Sequence, residues 1–191
     1  MIRGIIFDCF GVLYRGSLTH LAELAAPEDQ QAVRDLSHAS DHGFLSYDEY
    51  FTQLAELVHL PVEEVKAIVR ERHVRNTHLV ELVRQLHAEG RYKIGLLSNV
   101  GRGVMDGLFA PDEQRELFDA VILSSDVAVT KPEPVIYELM ADKLGCHTED
   151  CVMIDDLPVN IDGANRAGME GIIFTSLNQL RHDLETLLVE V

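Results

Sequence analysis

Five short apolar runs, separated by longer stretches with helical spacing, constrain the fold of this 191-residue chain more than any other feature. Strands that alternate with helices favour a parallel sheet, because parallel strands need a crossover connection between them. The sequence therefore predicts an α/β fold in which all five strands point the same way. The runs cover residues 3–7, 93–97, 120–123, 151–154 and 171–174.

Four of these runs lead into polar residues that phosphate chemistry uses. The carboxyl ends of parallel strands meet at one edge of the sheet, and ligands bind at that edge in open α/β sheets. A carboxylate nucleophile, a hydroxyl, an ammonium and a carboxylate pair are therefore expected to meet there as a metal-assisted phosphate site. In chain order the residues are Asp8, Ser98, Asn99, Lys131, Asp155 and Asp156.

The composition is that of an acidic globular protein, with 47% hydrophobic residues, 25% charged residues and a net charge of −16. This excess of negative charge repels nucleic acid and anionic membranes, so partners of either kind are not expected. No apolar stretch reaches the roughly 20 residues that a transmembrane helix needs. An anionic substrate would also be repelled at long range, and its site would need a local cation.

The start of the chain and its cysteines predict a cytoplasmic protein. Residues 1–4 lead directly into the first strand, so no signal peptide is expected. Cys9, Cys146 and Cys151 lack a C-x-x-C spacing and are predicted to be reduced thiols. The sequence leaves the oligomeric state open.

A stretch without strand signals interrupts the βα alternation after the first strand. Its apolar spacing indicates helices, one of them begun by Ser46 and Glu49 as a capping box and another begun by Pro61. We therefore expect a core formed by residues 1–14 and 78–191, with residues 15–77 as a small helical cap. Three cap residues expected near the mouth of the site are His42, Phe44 and Tyr47.

Taken one at a time, the polar motifs also have ordinary structural explanations. Asp8 and Gly11 fit a tight turn after a buried strand, or a nucleophile beside a bound phosphate. Ser98 fits a helix N-cap, or a hydroxyl that binds a phosphate oxygen. Lys131 fits a solvated lysine, but Pro132 in a first helical turn would fix its direction, and a lysine at a helix start is unfavourable unless an anion lies nearby.

The carboxylate pair Asp155 and Asp156 favours a metal site. Adjacent carboxylates repel each other unless a cation lies between or beside them. Mg²⁺ prefers one or two carboxylates, a carbonyl, waters and a substrate phosphate, and Asp8 would complete such a set. The alternative is a helix cap ahead of residues 160–167. We favour the metal because the pair lies at the same sheet edge as the other motifs.

Together these residues resemble the haloacid dehalogenase (HAD) superfamily of hydrolases, subfamily IA. Within it they resemble the branch of small-capped phosphatases that includes the N-terminal domain of epoxide hydrolase. The four family motifs occur in order at residues 8–13, 98–99, 131–132 and 155–156, and the stretch 155–168 is especially similar to this branch. The resemblance covers nearly the whole chain. It implies a Rossmann-like three-layer core with a parallel sheet, and a helical cap between the first and second motifs.

The resemblance also implies a role for each motif residue. The residues implied for catalysis are the nucleophile Asp8 and the phosphoryl-binding Ser98 and Lys131. Those implied for substrate binding are Asn99 and Gly11. The implied Mg²⁺ ligands are Asp8, the carbonyl of Phe10, and Asp156, with Asp155 assisting.

One departure from the family pattern lies at Phe10, where the first motif usually has a second Asp. In the family that Asp protonates the leaving group and then deprotonates the hydrolytic water. Loss of a general acid/base typically costs roughly 10²–10⁴-fold in rate, so slow turnover is expected. A main-chain carbonyl needs no side chain, and Phe10 therefore still fits as a Mg²⁺ ligand.

The resemblance thus implies a Mg²⁺-dependent phosphatase of a small phosphorylated metabolite, acting through an aspartyl-phosphate. Two alternatives stay open. A 2-haloacid dehalogenase has an aromatic residue at the position of Phe10 and needs no metal, but it replaces the acidic pair of the fourth motif with neutral residues. A non-catalytic relative that binds a ligand or a partner would explain Phe10, but not the retention of the other site residues.

Overall fold

The computed structural model describes residues 1–189 and contains one five-stranded sheet in which every paired strand is parallel. The predicted α/β fold is confirmed, and all five apolar runs form strands. Their ends differ from the predicted ends by one residue at most. The strands are β1 (Gly4–Phe7), β2 (Lys93–Ser98), β3 (Ala120–Leu123), β4 (Cys151–Asp155) and β5 (Glu170–Ile173).

The strand order is β3-β2-β1-β4-β5, so the chain builds the sheet outward from β1 first in one direction and then in the other. The switch point lies between β1 and β4, where an open α/β sheet forms its ligand-binding crevice. In this pair Phe7 lies opposite Ile154, and the amide of Asp8 donates to the carbonyl of Ile154 at 2.9 Å. Asp8 therefore leaves the sheet directly beside Asp155.

Helices cover both faces of the sheet, as the burial of β1 requires. Ile5 and Phe7 join a cluster with helical residues in 79–86 and 180–184, whereas Ile6 joins a cluster with helical residues in 136–144 and 161–164 on the opposite face. Strands buried on both faces contain nearly continuous apolar residues, and this holds for β1, β2 and β4; the edge strands β3 and β5 are only partly buried. The helices are α1 (Leu18–Leu24), α2 (Gln30–Asp41), α3 (Tyr47–Val58), α4 (Val62–Arg72), α5 (Thr77–Glu89), α6 (Pro111–Leu117), α7 (Ser124–Val127), α8 (Pro134–Leu144), α9 (Pro158–Arg166) and α10 (Leu177–Val189).

The helices α1–α4, here called the helical segment, pack on one another around a hydrophobic cluster of their own. Ser46 and Glu49 form the predicted capping box at the start of α3, and Pro61 immediately precedes α4. The position of this segment, between β1 and α5, is consistent with an inserted cap. The division at residues 15 and 77 stays a prediction.

Two further features bear on the expectations from sequence. Cys9, Cys146 and Cys151 are buried and unpaired. Within residues 1–189, no helix has the length and apolar character needed to cross a membrane.

Candidate active site

The centre of the site is Lys131, whose ammonium lies between two carboxylates at the switch point. Its Nζ is 2.8 Å from Asp8 Oδ1 and 2.5 Å from Asp155 Oδ2. Lys131 and Asp8 are only 3% and 5% exposed, and Asp155 is fully buried. Burial disfavours the ammonium, but the two carboxylates outweigh burial and raise the pKa of Lys131, so the side chain stays charged.

The loop that carries Lys131 differs from the sequence prediction in one respect. Pro134, and not Pro132, begins α8, so the prediction that Pro132 lies in the first helical turn is wrong. The loop is held instead by Asn99, the residue after β2. Asn99 Nδ2 donates to the carbonyl of Lys131 at 2.9 Å, and Asn99 Oδ1 accepts from the amide of Lys131 at 2.8 Å. These two hydrogen bonds with Asn99 fix the backbone at Lys131.

In addition to the contact with Lys131, each carboxylate oxygen of Asp155 accepts hydrogen bonds from other groups. The Nδ2 of Asn160 donates to both oxygens at 3.0 Å, and the amide of Leu157 donates to Oδ1 at 2.9 Å. The hydroxyl of Tyr137 in turn donates to the carbonyl of Asn160 at 2.6 Å. A buried charge is tolerated when it is paired and fully hydrogen-bonded, and Asp155 meets both conditions.

Asp156 is the opposite case. Among the described residues, no group forms a hydrogen bond with its buried Oδ1. The carboxyl group of Asp156 lies very close to Gly11. A Cβ atom at Gly11 would be 2.3 Å from that carboxyl group. Gly11 also has a φ of +97°, which residues other than glycine rarely adopt. The glycine of the first motif therefore makes room for the carboxylate of the fourth.

The three carboxylates form a cluster suited to a divalent cation. One oxygen from each of Asp8, Asp155 and Asp156 lies within 4.8 Å of the others. Burial raises the pKa of Asp8 to about 7; the Lys131 ammonium acts against this shift, and Asp155 adds to it. Burial, followed by the charge of Asp155, also raises the pKa of Asp156. One ammonium does not balance three carboxylates, and a cation beside the unpaired oxygen of Asp156 would favour their ionised forms.

The remaining predicted residues lie at the same edge. Ser98 ends β2, and its buried Oγ also has no hydrogen-bond partner among residues 1–189. The ring of Phe10 packs on the imidazole of His73, with 4.6 Å between ring centroids. The structure thus brings together the predicted residues Asp8, Phe10, Gly11, Ser98, Asn99, Lys131, Asp155 and Asp156. The roles given to them stay predictions.

A cavity of about 250 Å³ opens between this edge and the helical segment. Asp8, Phe10 and Lys131 line it from the sheet, and Ser37 and Asp41 are among the residues that line it from the helices. Sequence reasoning missed these helical residues, as well as Asn160. A signal for Asn160 existed in its place one helical turn after the acidic pair, whereas the helical residues follow no recognisable pattern.

His42, Phe44 and Tyr47, which were expected near the mouth, are not among the residues that line this cavity. The imidazole of His42 is 3.3 Å from the hydroxyl of Thr130, and the ring of Phe44 is largely exposed to solvent. Tyr47 packs against Phe51, with 4.6 Å between ring centroids.

The family model for haloacid dehalogenase-like hydrolases matches residues 2–168, which is most of the chain. The chain belongs to this family. It is 30% identical over 180 residues to the fructose-1-phosphate phosphatase of Escherichia coli, covering 88% of this chain and 94% of that protein.

Two other similarities are informative. The chain is 22% identical over 197 residues to a drimenol cyclase from Aspergillus calidoustus; the match covers 98% of this chain but only 37% of that protein's length. A HAD family enzyme from Bacteroides thetaiotaomicron, solved in complex with magnesium and inorganic phosphate, has a TM-score of 0.75 at 19% identity. That match covers 94% of this chain and 99% of the other. At such low identity the likeness supports the fold alone.

Proposed function

We propose that this hydrolase is a Mg²⁺-dependent phosphatase that acts on a small phosphorylated metabolite through an aspartyl-phosphate at Asp8. The observation that carries the proposal is the bridge from Lys131 to Asp8 and Asp155, with the unpaired oxygen of Asp156 beside it. It combines a nucleophile, a fixed positive charge and a cation site at the switch point of the sheet.

In the first step a carboxylate oxygen of Asp8 attacks phosphorus, a P–O(Asp8) bond forms and the ester P–O bond breaks. In the second step water hydrolyses the aspartyl-phosphate and regenerates the carboxylate. Lys131 holds Asp8 in place and offers positive charge to the phosphoryl oxygens. The unpartnered Oγ of Ser98 is available to donate a hydrogen bond to one of those oxygens.

The residues that would hold Mg²⁺ are Asp8, the carbonyl of Phe10, and Asp156, with Asp155 assisting. When bound, the ion would polarise the phosphoryl group and neutralise its charge. Asp155 fits an assisting role because its oxygens already bond to Lys131 and Asn160.

The substrate class rests on the similarity to the fructose-1-phosphate phosphatase, which the chain matches over nearly its whole length. The drimenol cyclase is much longer than this chain, so its activity is a weaker guide. The three unpaired buried thiols are consistent with a location in the cytoplasm.

The acidic cluster also bears on the two alternatives. A 2-haloacid dehalogenase has no need for an unbalanced cluster of three carboxylates. A binding protein has no need for a buried lysine aimed at a nucleophile. Both alternatives therefore rank below the phosphatase.

The test is phosphate release from a panel of phosphorylated metabolites and one aryl phosphate, with Mg²⁺ and with a chelator. The same panel is measured for wild type and Asp8→Asn. We expect Mg²⁺-dependent release by wild type and none by the variant. Halide release from a 2-haloacid without metal would instead support a dehalogenase. Wild type that releases neither product under any condition would support the binding protein.

A further inference from the structure

The cavity beside Asp8 contains a carboxyl group that the proposed mechanism has not used. Asp41, the last residue of α2, lines the cavity together with Asp8, Phe10 and Lys131. A phosphatase with Phe10 in its first motif lacks a side chain that exchanges protons with the leaving group and with water.

Contacts with the sheet edge fix the end of α2 beside Lys131. The hydroxyl of Ser124 donates to the carbonyl of Asp41 at 2.5 Å and accepts from the amide of Val100 at 2.9 Å. The next residue, His42, approaches Thr130 at 3.3 Å, and Thr130 directly precedes Lys131. The backbone of Asp41 is therefore held against the start of α7 and the loop that follows β2.

The other proton-exchanging groups of the cavity are already engaged. The ammonium of Lys131 bonds to two carboxylates, and the hydroxyl of Tyr50 lies 3.1 Å from the hydroxyl of Ser37. His73 packs on Phe10, and burial lowers its pKa, which disfavours the imidazolium that a general acid would need. Asp41 is the carboxyl that lines this cavity from the helical side.

We infer that Asp41 is the general acid and base of this enzyme, in place of the side chain that the first motif lacks at Phe10. The inference rests on the proposed phosphatase function. When the ester P–O bond breaks, the carboxylic acid of Asp41 gives its proton to the leaving oxygen, which departs as an alcohol. In the second step the Asp41 carboxylate takes a proton from water as the water oxygen attacks phosphorus. The P–O(Asp8) bond breaks, and Asp41 is again protonated.

The electrostatics of the cavity support this role. Burial raises the pKa of Asp41 to about 7, while His42 and Lys131 act in the opposite direction. A group that gains and loses a proton near neutral pH is suited to acid–base catalysis. The titratable groups that face Asp41 or share its cavity are His42, Tyr50, His73, Lys131 and Asp8.

The test compares an alkyl phosphate, whose leaving alkoxide needs a proton, with an aryl phosphate, whose phenolate is stable without one. We expect Asp41→Asn to lower the alkyl-to-aryl ratio of kcat/KM by on the order of 10²-fold. The matched control is Asp35→Asn, which removes the same charge from an exposed position on α2. Thermal melts of both variants verify folding.

A second substitution tests whether Asp41 and position 10 share one task. Phe10→Asp should raise the ratio strongly in the Asp41→Asn background but only slightly in wild type. An unchanged ratio in Asp41→Asn, or an equal loss on both substrates, would overturn the inference. A lowered ratio in His73→Gln with an unchanged ratio in Asp41→Asn would assign the role to His73.

If Asp41→Asn does not fold, the pH dependence of the alkyl-to-aryl ratio in wild type tests the inference. Asp8 must be ionised with both substrates, so its titration cancels in the ratio. The alkyl-to-aryl ratio should then fall above pH 7 as Asp41 loses its proton, and a flat ratio would contradict the inference. Wild type that hydrolyses aryl but not alkyl phosphates would also contradict it and leave the phosphatase standing. Wild type that hydrolyses neither would overturn the proposed phosphatase itself.

Discussion

Asp155 and Asp156 are neighbours in sequence, but their surroundings differ in kind. Every oxygen of Asp155 has partners, namely Lys131, Asn160 and the amide of Leu157. A buried oxygen of Asp156 has none within residues 1–189. A satisfied buried charge rigidifies its surroundings, whereas an unsatisfied one costs stability unless a ligand completes it. The difference separates the part of the site whose charges are already paired from the part in which we propose that a cation binds.

The largest effect is expected at Asp8, which belongs to both parts. Asp8→Asn should reduce phosphate release by at least about 10³-fold, because an amide does not act as the nucleophile. Steady-state assays on the best substrate measure the loss, and circular dichroism verifies that the fold survives. Near-normal turnover by the folded variant would show that the reaction does not pass through Asp8.

Asp155→Asn should cause the largest loss of stability. The amide removes one of the two charges that balance the ammonium of Lys131, and breaking a buried ion pair typically costs roughly 3–5 kcal/mol. Urea denaturation without Mg²⁺ measures the free energy of unfolding. The control is Asp162→Asn, an exposed position on α9, which should change it little. A loss no larger than that of the control would mean that the pairing of Asp155 contributes no stability.

Asp156→Asn should behave in the opposite way. Without Mg²⁺ it relieves repulsion in the cluster, so stability should stay level or rise. With Mg²⁺ at about 100 times its Kd, wild type should gain about 2.7 kcal/mol, and the variant should lose most of that gain. Thermal melts with and without Mg²⁺ measure both effects. An equal Mg²⁺ response in wild type and variant would place the cation elsewhere.

The last effect concerns the pH dependence of stability at Asp41. Its pKa is raised from 3.8 to about 7 by burial, so the folded state holds the proton more tightly than the unfolded state. The contribution of Asp41 to the free energy of unfolding is therefore largest below about pH 4 and is lost as the pH rises through 7. Wild type should therefore lose stability relative to Asp41→Asn as the pH rises from 4 to 8. Urea denaturation across this range measures the difference, and parallel curves would show that Asp41 does not titrate in this way.

The residues at the sheet edge were predictable because the end of each apolar run marks the end of a strand in the sequence. Asp8 and Asp155 follow continuous apolar runs, and parallel strands bring such ends together whatever the helices between them do. Asn160 was harder to foresee, since its bond to Asp155 depends on how α9 begins. The direction of Lys131 was predicted from a helix starting at Pro132, but α8 begins at Pro134. The hydrogen bonds of Asn99 fix the backbone at Lys131 instead.

The helical side of the cavity was not predictable from sequence. Apolar spacing located the helices, but it does not say which polar residues at a helix end face a neighbouring sheet. His42 was expected near the site, yet it approaches Thr130, while its neighbour Asp41 lines the cavity. A choice between adjacent residues at the end of α2 depends on tertiary contacts such as that of Ser124 with the Asp41 carbonyl.

The burial of Lys131 between two carboxylates has a consequence for the order in which ligands assemble. Its positive charge is already matched, so an approaching phosphate dianion meets a cluster that is negative overall, on a protein with a net charge of −16. Encounter rates between like charges fall at low ionic strength and rise with added salt. A divalent cation would cancel the negative charge that one ammonium leaves on three carboxylates. We therefore expect ordered kinetics for the proposed phosphatase, in which the cation enters first and the phosphate ester second.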